Sequence, residues 1–583
     1  MKHHKDYHII VFLILLAMIG ASFTTVTAAS IAPMHEQGGR TINGQILFSP
    51  LYGTSTYLID NTGSLNHTWP SSYTPGAATY WLGDGTILRT IRVGFSTQGG
   101  AGGGVQKVTW DGTVTWDFRY NTNGHLSHHD IKNLSNGNVI MIAWETKTRN
   151  EAIAAGRDPD YITGNTFMPD HVIEVKPTGP SSGDIVWQWH AWDHLIQDFD
   201  SSKANYGVVG DHPELIDINF GSFFMSTDDW MHTNSIDYNP QFDQILISVH
   251  NFNEVWVIDH STTTEEAASH TGGNSGKGGD LLYRWGNPQA YDAGTSSDQK
   301  LFGQHDTTWI KPGYPGAGHI LILNNGINRP GGQYSSVDEI APPVDTYGNY
   351  YLEPGSAYGP ENLSWSYTAN PPTTFYAYYI SGAERLKDGD TLICDGVAGK
   401  FFEVTPDETT VWQWTNPYPN PSMNDVFKIV YIPPNEPPPP PPQNITPDLD
   451  CQGSMNWTNI KPGGTVHGSF QVENIGDPNS TLNWTVDTYP AWGTWSFTPP
   501  SGENLTPEEG TTTVQVYVTA PDQGNTESQG YIRVINVDNS SDFNLIPVSL
   551  KTPLIDVSVQ PKAQPFLSMQ PLVLFGSLFH DFT

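Results

Sequence analysis

The sequence predicts an all-β protein in two parts: a six-bladed β-propeller followed by an immunoglobulin-like β-sandwich. Three observations carry that expectation. The residue choice leans to Trp, Tyr, Phe, Val, Ile, Thr and Gly, with 45 prolines, and no long segment keeps apolar residues at helical spacing. A strand followed by a Trp-rich closing strand recurs six times before a proline run. Beyond that run the pattern changes to strict apolar–polar alternation. With 583 residues, more than one domain is expected, and a hydrophobic fraction of 37% with 12% aromatics is that of a folded chain.

Taken in order, residues 1–29 read as a secretory signal. Lys2 and Lys5 precede an apolar run from Ile9 to Ile19, and the small residues Val26-Thr27-Ala28-Ala29 follow, placing cleavage near Ala28 or Ala29. The run is short for a membrane span of ~20 residues, so a cleaved signal is expected rather than an anchor. The remainder is then secreted or held at the cell surface.

Residues 30–432 carry the repeat. Its copies run from Tyr57-Leu58-Ile59-Asp60 to Trp69, from Val108-Thr109-Trp110-Asp111-Gly112 to Trp116, and from Val172-Ile173-Glu174-Val175 to Trp187 and Trp189. Three more run from Val255-Trp256-Val257-Ile258-Asp259 to Trp285, from Val337 to Trp365, and from Phe402-Glu403-Val404 to Trp412 and Trp414. Hairpin signals precede several of them, as at Asp84-Gly85, Asn136-Gly137 and Asp388-Gly389. Six unevenly spaced units predict propeller blades with insertions; one sandwich seldom repeats a Trp-closing strand so often.

Residues 433–445 are a linker. Pro433-Pro434-Asn435-Glu436 is followed by prolines from Pro437 to Pro442, a stiff spacer rising ~3.1 Å per residue. Residues 446–555 alternate cleanly, as in Thr465-Val466-His467-Gly468-Ser469-Phe470-Gln471-Val472 and Thr512 to Val518, which predicts the sandwich. No cluster of ionisable groups lies there, so attachment is its expected role. Residues 556–583 form a tail whose apolar patch, Pro571 to Phe579, is too short to span a bilayer.

The net charge of −34 argues against nucleic acid and anionic membranes as partners. Two cysteines, Cys394 and Cys451, cannot make a disulfide scaffold. Sequons at Asn444, Asn456, Asn479, Asn483, Asn504 and Asn539 offer glycan acceptors in an exported glycoprotein.

The chemistry points to histidine. Twenty are present, and three clusters sit at strand-to-loop edges: His125-Leu126-Ser127-His128-His129-Asp130, Asp229-Trp230-Met231-His232-Thr233-Asn234, and Gly303-Gln304-His305-Asp306 with His319 after it. On a regular strand His232 and Asn234 would share one face. In a propeller such positions from successive blades converge on the central channel. Asn234, Arg284 and Arg329 suit an anionic group better than a metal. The glycine run 99–104 lacks the helix of a phosphate loop, and the acidic turns at Asp198 and Asp388 lack calcium-loop spacing. No Gly-x-Ser-x-Gly elbow is present.

The segments Asp229-Trp230-Met231-His232-Thr233-Asn234-Ser235, Glu254-Val255-Trp256-Val257-Ile258-Asp259-His260, Tyr283-Arg284-Trp285-Gly286-Asn287-Pro288, Phe302-Gly303-Gln304-His305-Asp306 and Leu392-Ile393-Cys394-Asp395-Gly396 resemble the arylsulfotransferase family across roughly residues 40–430. The resemblance implies transfer of a sulfuryl group from a phenolic sulfate ester to a phenol, through a sulfated histidine and without a nucleotide donor. By motif, His305 matches the sulfated residue, and His232 with Asn234 matches the supporting His-x-Asn pair. His129 matches the remaining histidine, with His128 its rival. Neither a metal nor another cofactor is implied; the partners are small aryl sulfates and phenols.

One departure stands out. Family members carry an Arg near the end of the strand after His-x-Asn, and here that place is held by His250, in Ser248-Val249-His250-Asn251. Neutral imidazole donates a single hydrogen bond, so Arg284 and Arg329 are the expected compensating ligands. The competing expectation is a non-catalytic surface-binding propeller with the sandwich as its stalk.

Overall fold

Runs with apolar residues at successive positions, such as Val139–Trp144 within Val139–Glu145 and Ile245–Ile247 within Gln244–Val249, can exist as strands only where both sheet faces are covered, and each residue of the two strands is buried. The computed structural model describes residues 43–553 apart from Phe95, Thr97, Asn123, Thr163, 221–227, 435–445 and Asn479. The expected signal segment 1–29, the proline run, the tail 556–583, Asn444 and Asn479 lie outside the described residues. The protein is all-β and divides into two compact units within the prolines, Met1–Pro439 and Pro440–Thr583.

Six antiparallel four-stranded sheets follow one another among the described residues of the first unit. The first is Val426–Ile432, Gln45–Pro50, Thr56–Asp60 and Leu65–Trp69, so its inner strand comes from the far end of the unit. The second is Pro75–Trp81, Ile87–Arg92, Gly103–Val108 and Val114–Arg119. The third, joined to it by a bridge from Ala77 to His129, is His125–Asn133, Val139–Glu145, Asp170–Pro177 and Gly183–His190. The remaining three are Thr233–Asn239 to Tyr283–Trp285, His305–Trp309 to Trp365–Thr368, and Gly382–Arg385 to Thr410–Thr415. Their first strands touch in succession, and the sixth returns to the first sheet, so the series is closed.

The repeated tryptophans have a physical role in that closure. Each sits on an outer strand and donates its indole N–H to the next sheet's segment. Trp69 reaches Thr109 O (2.9 Å), Trp116 Ser182 O (3.0 Å), Trp187 Thr262 Oγ1 (3.1 Å), and Trp285 Pro360 O (2.9 Å). Trp365 reaches Pro406 O (2.9 Å), and Trp412 closes the ring on Asn61 O (2.9 Å). A tryptophan fills the inter-sheet wedge with its apolar body and satisfies its one donor across it.

In the second unit a four-stranded sheet (Leu449–Gln452, Thr465–Asn474, Thr512–Thr519, Thr494–Thr498) and a five-stranded sheet enclose Phe470, Val472, Trp484, Val516, Ile532 and Val548. The alternating runs put those residues inward, one residue in two. Cys394 and Cys451 are both free. Asn456, Asn504 and Asn539 are exposed. Among the described residues no helix is long and apolar enough to cross a membrane.

Candidate active site

The inner strands of the second to fifth sheets share an irregularity. Their pairing register breaks between Pro75 and Thr79, Ser127 and Ile131, Thr233 and Ser235, and His305 and Thr308. Left-handed backbone accompanies three of these breaks, at His129 (φ 49°), His232 (φ 52°) and Asp306 (φ 45°). A bulge adds a residue and re-aims the side chains beside it, and here it turns histidines from three sheets toward one place. Before the sixth inner strand Ile380 (φ 49°) and Ser381 (φ 83°) are also left-handed, a costly conformation for a β-branched residue that marks functional positions.

The result is a continuous row of five imidazoles. Ring centroids are 5.1 Å apart from His128 to His129, 4.7 Å from His129 to His232, 5.2 Å from His232 to His250, and 5.4 Å from His250 to His305. Phe427 flanks both His129 and His305. Gly100 packs against the His129 ring so closely that a Cβ there would lie 2.0 Å from Cε1.

Hydrogen-bond partners fix where the protons sit. Asn325 donates its amide to the carbonyls of Ala377 (2.7 Å) and Ile380 (2.9 Å), so its Oδ1 faces His305 and accepts from Nδ1 at 2.8 Å. His305 Nε2 therefore carries the lone pair, and the Ile380 amide donates to it at 3.3 Å. His128 donates from Nε2 to Asp170 Oδ1 (3.2 Å), lies stacked on Trp144, and accepts on Nδ1 from His129 Nδ1 (2.8 Å). That sequence leaves a lone pair on His129 Nε2. His128 is thus the rear member of the pair and His129 the one beside His232.

His232 differs from the rest in having a carboxylate of its own. Its Nδ1 lies 2.5 Å from Asp229 Oδ2, while Asp229 Oδ1 accepts from Trp144 at 2.8 Å. Burial alone would lower the His232 pKa, but the charge and hydrogen bond of Asp229 raise it. The neighbours go the other way. Burial and the charge of His232 hold His129 well below the usual imidazole range; burial and then His250 do so for His305. His250 is pushed down to about 4 by burial and by His232. A ring pushed up between His129, His250 and His305, which are pushed down, is the arrangement that sorts acid from base.

Beneath the row, Lys428 donates to Asp130 Oδ2 (3.0 Å) and Tyr80 OH (2.8 Å) and pairs with Asp306 Oδ1 at 2.7 Å. Asp130 follows His129 and Asp306 follows His305, so one buried ammonium ties together the two strands that carry them.

The other expected ligands lie differently. The His232–Asn234 pair does not share a regular strand face, because the bulge intervenes. Asn234 is fully buried and donates to Gln304 O (2.8 Å), bracing the backbone before His305. Arg284 has no exposed surface, and its guanidinium is taken up by Glu254 and the carbonyls of Pro213 and Leu215. It is a wholly buried core ion pair with no donor exposed to a substrate, which corrects its expected role. Arg329 donates to Ser336 Oγ, lies over Tyr334 at 4.3 Å and Phe302 at 5.8 Å, and keeps a buried Nε without a partner.

The sequence motifs contain Asp229 and Asn325 without assigning either a role, and they leave out Asp170, Ile380 and Lys428. Two of them left a sequence signal: Asp229 stands three residues before His232, and Lys428 is a lone charge in the apolar run Val426–Ile432.

The protein-family model described as Arylsulfotransferase (ASST) matches residues 52–416. No curated protein matches the chain. Among solved structures, a Bacteroides caccae protein of unknown function is 13% identical over 67% of this chain and 99% of that one, with a TM-score of 0.37. Virginiamycin B lyase from Staphylococcus aureus is 10% identical over 64% of this chain and 81% of that one (TM-score 0.31). A PapD-like domain of human CEP192 is 13% identical over 20% of this chain and 94% of that one (TM-score 0.16).

Proposed function

The chain belongs to the arylsulfotransferase family, and on that premise we propose that it moves a sulfuryl group from a phenolic sulfate ester to a phenol through a sulfated His305. The observation that carries this reading is the division of charge along the histidine row. His305 offers an Nε2 lone pair, and the Asp229-paired His232 two rings away offers a proton.

The steps follow from those atoms. His305 Nε2 attacks sulfur as the bond from sulfur to the aryl oxygen breaks. The departing phenolate takes the proton from His232, leaving a neutral imidazole and an N–SO3 group on His305. The acceptor phenol then gives its proton to His232 and attacks sulfur, the N–S bond breaks, and the Nε2 lone pair is restored. Splitting the transfer lets the two aryl groups use one pocket in turn. Charge stays on the sulfuryl oxygens throughout, so fixed donors matter most. The Ile380 amide, aimed at His305 Nε2, is one such donor, and the spare Nε of Arg329 is another. His250 gives its Nδ1 hydrogen to Asn251 Oδ1 (2.9 Å), so the neutral ring has no donor left for the sulfuryl group. His129, with its lone pair, assists proton movement at the same face. Mobile aryl sulfates and phenols are the partners, and no cofactor takes part.

The six closed sheets are read as a six-bladed β-propeller and residues 446–555 as an immunoglobulin-like sandwich serving attachment. With residues 1–29 as a signal, the enzyme acts outside the cytoplasm. The test is 4-nitrophenyl sulfate with a phenol acceptor, on wild type and His305→Ala. Donor alone should leave one SO3 on the peptide containing His305, and the substitution should abolish both label and turnover. Turnover surviving in His305→Ala would sink the proposed nucleophile, and folded wild type inert to every aryl sulfate would favour the surface-binding module.

A further inference from the structure

A second imidazole–carboxylate cluster lies away from the histidine row. His194 ends the turn Ala191–Asp193 that follows strand Gly183–His190. His270 and Asp280 belong to the long segment between strands Glu254–Asp259 and Tyr283–Trp285. His194 is wholly buried and stacked on Trp189 at 5.8 Å. Its Nε2 is 2.8 Å from Ala267 O, an atom that only accepts, so Nε2 carries the hydrogen. Its Nδ1 lies 2.8 Å from Asp280 Oδ1, and the same oxygen lies 2.7 Å from Nδ1 of His270. All three atoms fall within 4.8 Å of one another.

The proton count is what makes this cluster unusual. A neutral His194 with its hydrogen on Nε2 presents a lone pair at Nδ1, directly toward a carboxylate oxygen. Two acceptors at that distance need a cation between them, either a second proton on the ring or a metal ion. The protein shows elsewhere how it holds a doubly protonated imidazole: His260 has Asp243 on Nδ1 (2.7 Å) and Glu174 on Nε2 (3.0 Å). His194 has one carboxylate and shares it with a second ring.

We propose that His194, His270 and Asp280 bind a zinc-class divalent transition-metal ion. Two imidazole nitrogens and a carboxylate oxygen are a zinc donor set. A metal-bound histidine characteristically donates its other N–H to a backbone carbonyl, which is the role of Ala267 O here. The packing protects that bond, since a Cβ at Gly279 would lie 2.0 Å from Ala267 O and 2.5 Å from His194 Nε2. Bonds of ~2.0–2.1 Å need only a small outward swing of the Asp280 carboxylate and the His270 ring, whose side chain is 60% exposed. His270 and the neighbouring His212 also line a cleft of about 540 Å³ with Trp192 and Tyr206, so the fourth position is open to water or a small anion. The ion would cross-link two insertions that have no strand pairing between them.

Chelator-stripped full-length protein titrated with Zn2+ and with Co2+ tests this. Wild type and His305→Ala should each bind one equivalent that His270→Ala and Asp280→Asn lose, and the Co2+ complex should show four-coordinate visible absorption only where that equivalent is present. His270 is exposed, so its substitution leaves the fold intact. Equal stoichiometry in wild type and His270→Ala overturns the proposal, as does loss of the equivalent in His305→Ala. So does a wild type that binds no metal while nitrogen NMR finds His194 doubly protonated.

Discussion

Asp229→Asn removes the charge that holds His232 protonated and leaves the ring's shape and packing in place. The two groups are in direct contact at 2.5 Å, with 11% and 2% of their side chains exposed. Opposite charges whose centres are ~4 Å apart interact by ~4 kcal/mol at the effective dielectric of ~20 that suits protein sites. If departure of the aryl oxygen depends on that proton, ~4 kcal/mol is about a thousandfold in rate, inside the 10²–10⁴ range of general acids. The loss should depend on the leaving group. A nitrophenolate departs without help and should be nearly spared, whereas an unsubstituted phenolate should bear the full reduction. The pH profile should move as well. In wild type the acid form persists until pH rises through the elevated His232 pKa; in the variant burial dominates, and the same limb falls at lower pH. Initial rates for a series of aryl sulfates across pH measure both effects. A uniform loss for all leaving groups, or an unmoved limb, would refute the assignment of His232 as the acid.

Three further outcomes are expected. His250→Arg should raise kcat/KM by about tenfold or more, because a charged donor is worth ~1.5–3 kcal/mol to an oxyanion; a fall would show that the neutral ring at 250 is required. Lys428→Met strands two buried carboxylates and should cost ~3–5 kcal/mol by denaturant unfolding, and a loss below ~1 kcal/mol would mean the strands need no such tie. His260→Gln tests a second charged ring: burial would lower its pKa, but Asp243 and Glu174 raise it from 6.5 to about 9. A raised imidazole stabilises fully below pH ~6.5 and loses that contribution as pH climbs through ~9, so the variant should be less stable by ~3 kcal/mol at pH 6 and nearly equal to wild type at pH 10. An equal deficit at both pH values would argue for packing instead.

Much of this protein is legible in its sequence because its repeating forces are local. Strand period, turn dipeptides and the six Trp-closing strands are each written within a few residues, and period-2 alternation alone fixes which residues of the second unit face inward. The histidines, too, are visible as clusters beside strand starts. What the sequence leaves open is every feature that depends on distant chain meeting. Val426–Ile432 pairs with Gln45–Pro50 across most of the first unit, and only that pairing completes the ring of tryptophan bonds from Trp412 to Asn61. Arg284 carries the same charge as any anion ligand, yet Glu254 on a neighbouring strand consumes it. His232 and His305 are the same side chain, but a carboxylate beside one and an amide oxygen beside the other place their protons differently, which is what suits the one to the proposed role of acid and the other to that of nucleophile. Residue type was determined by the sequence alone; protonation was decided by the tertiary structure, because burial and partners set the free energy of a charge.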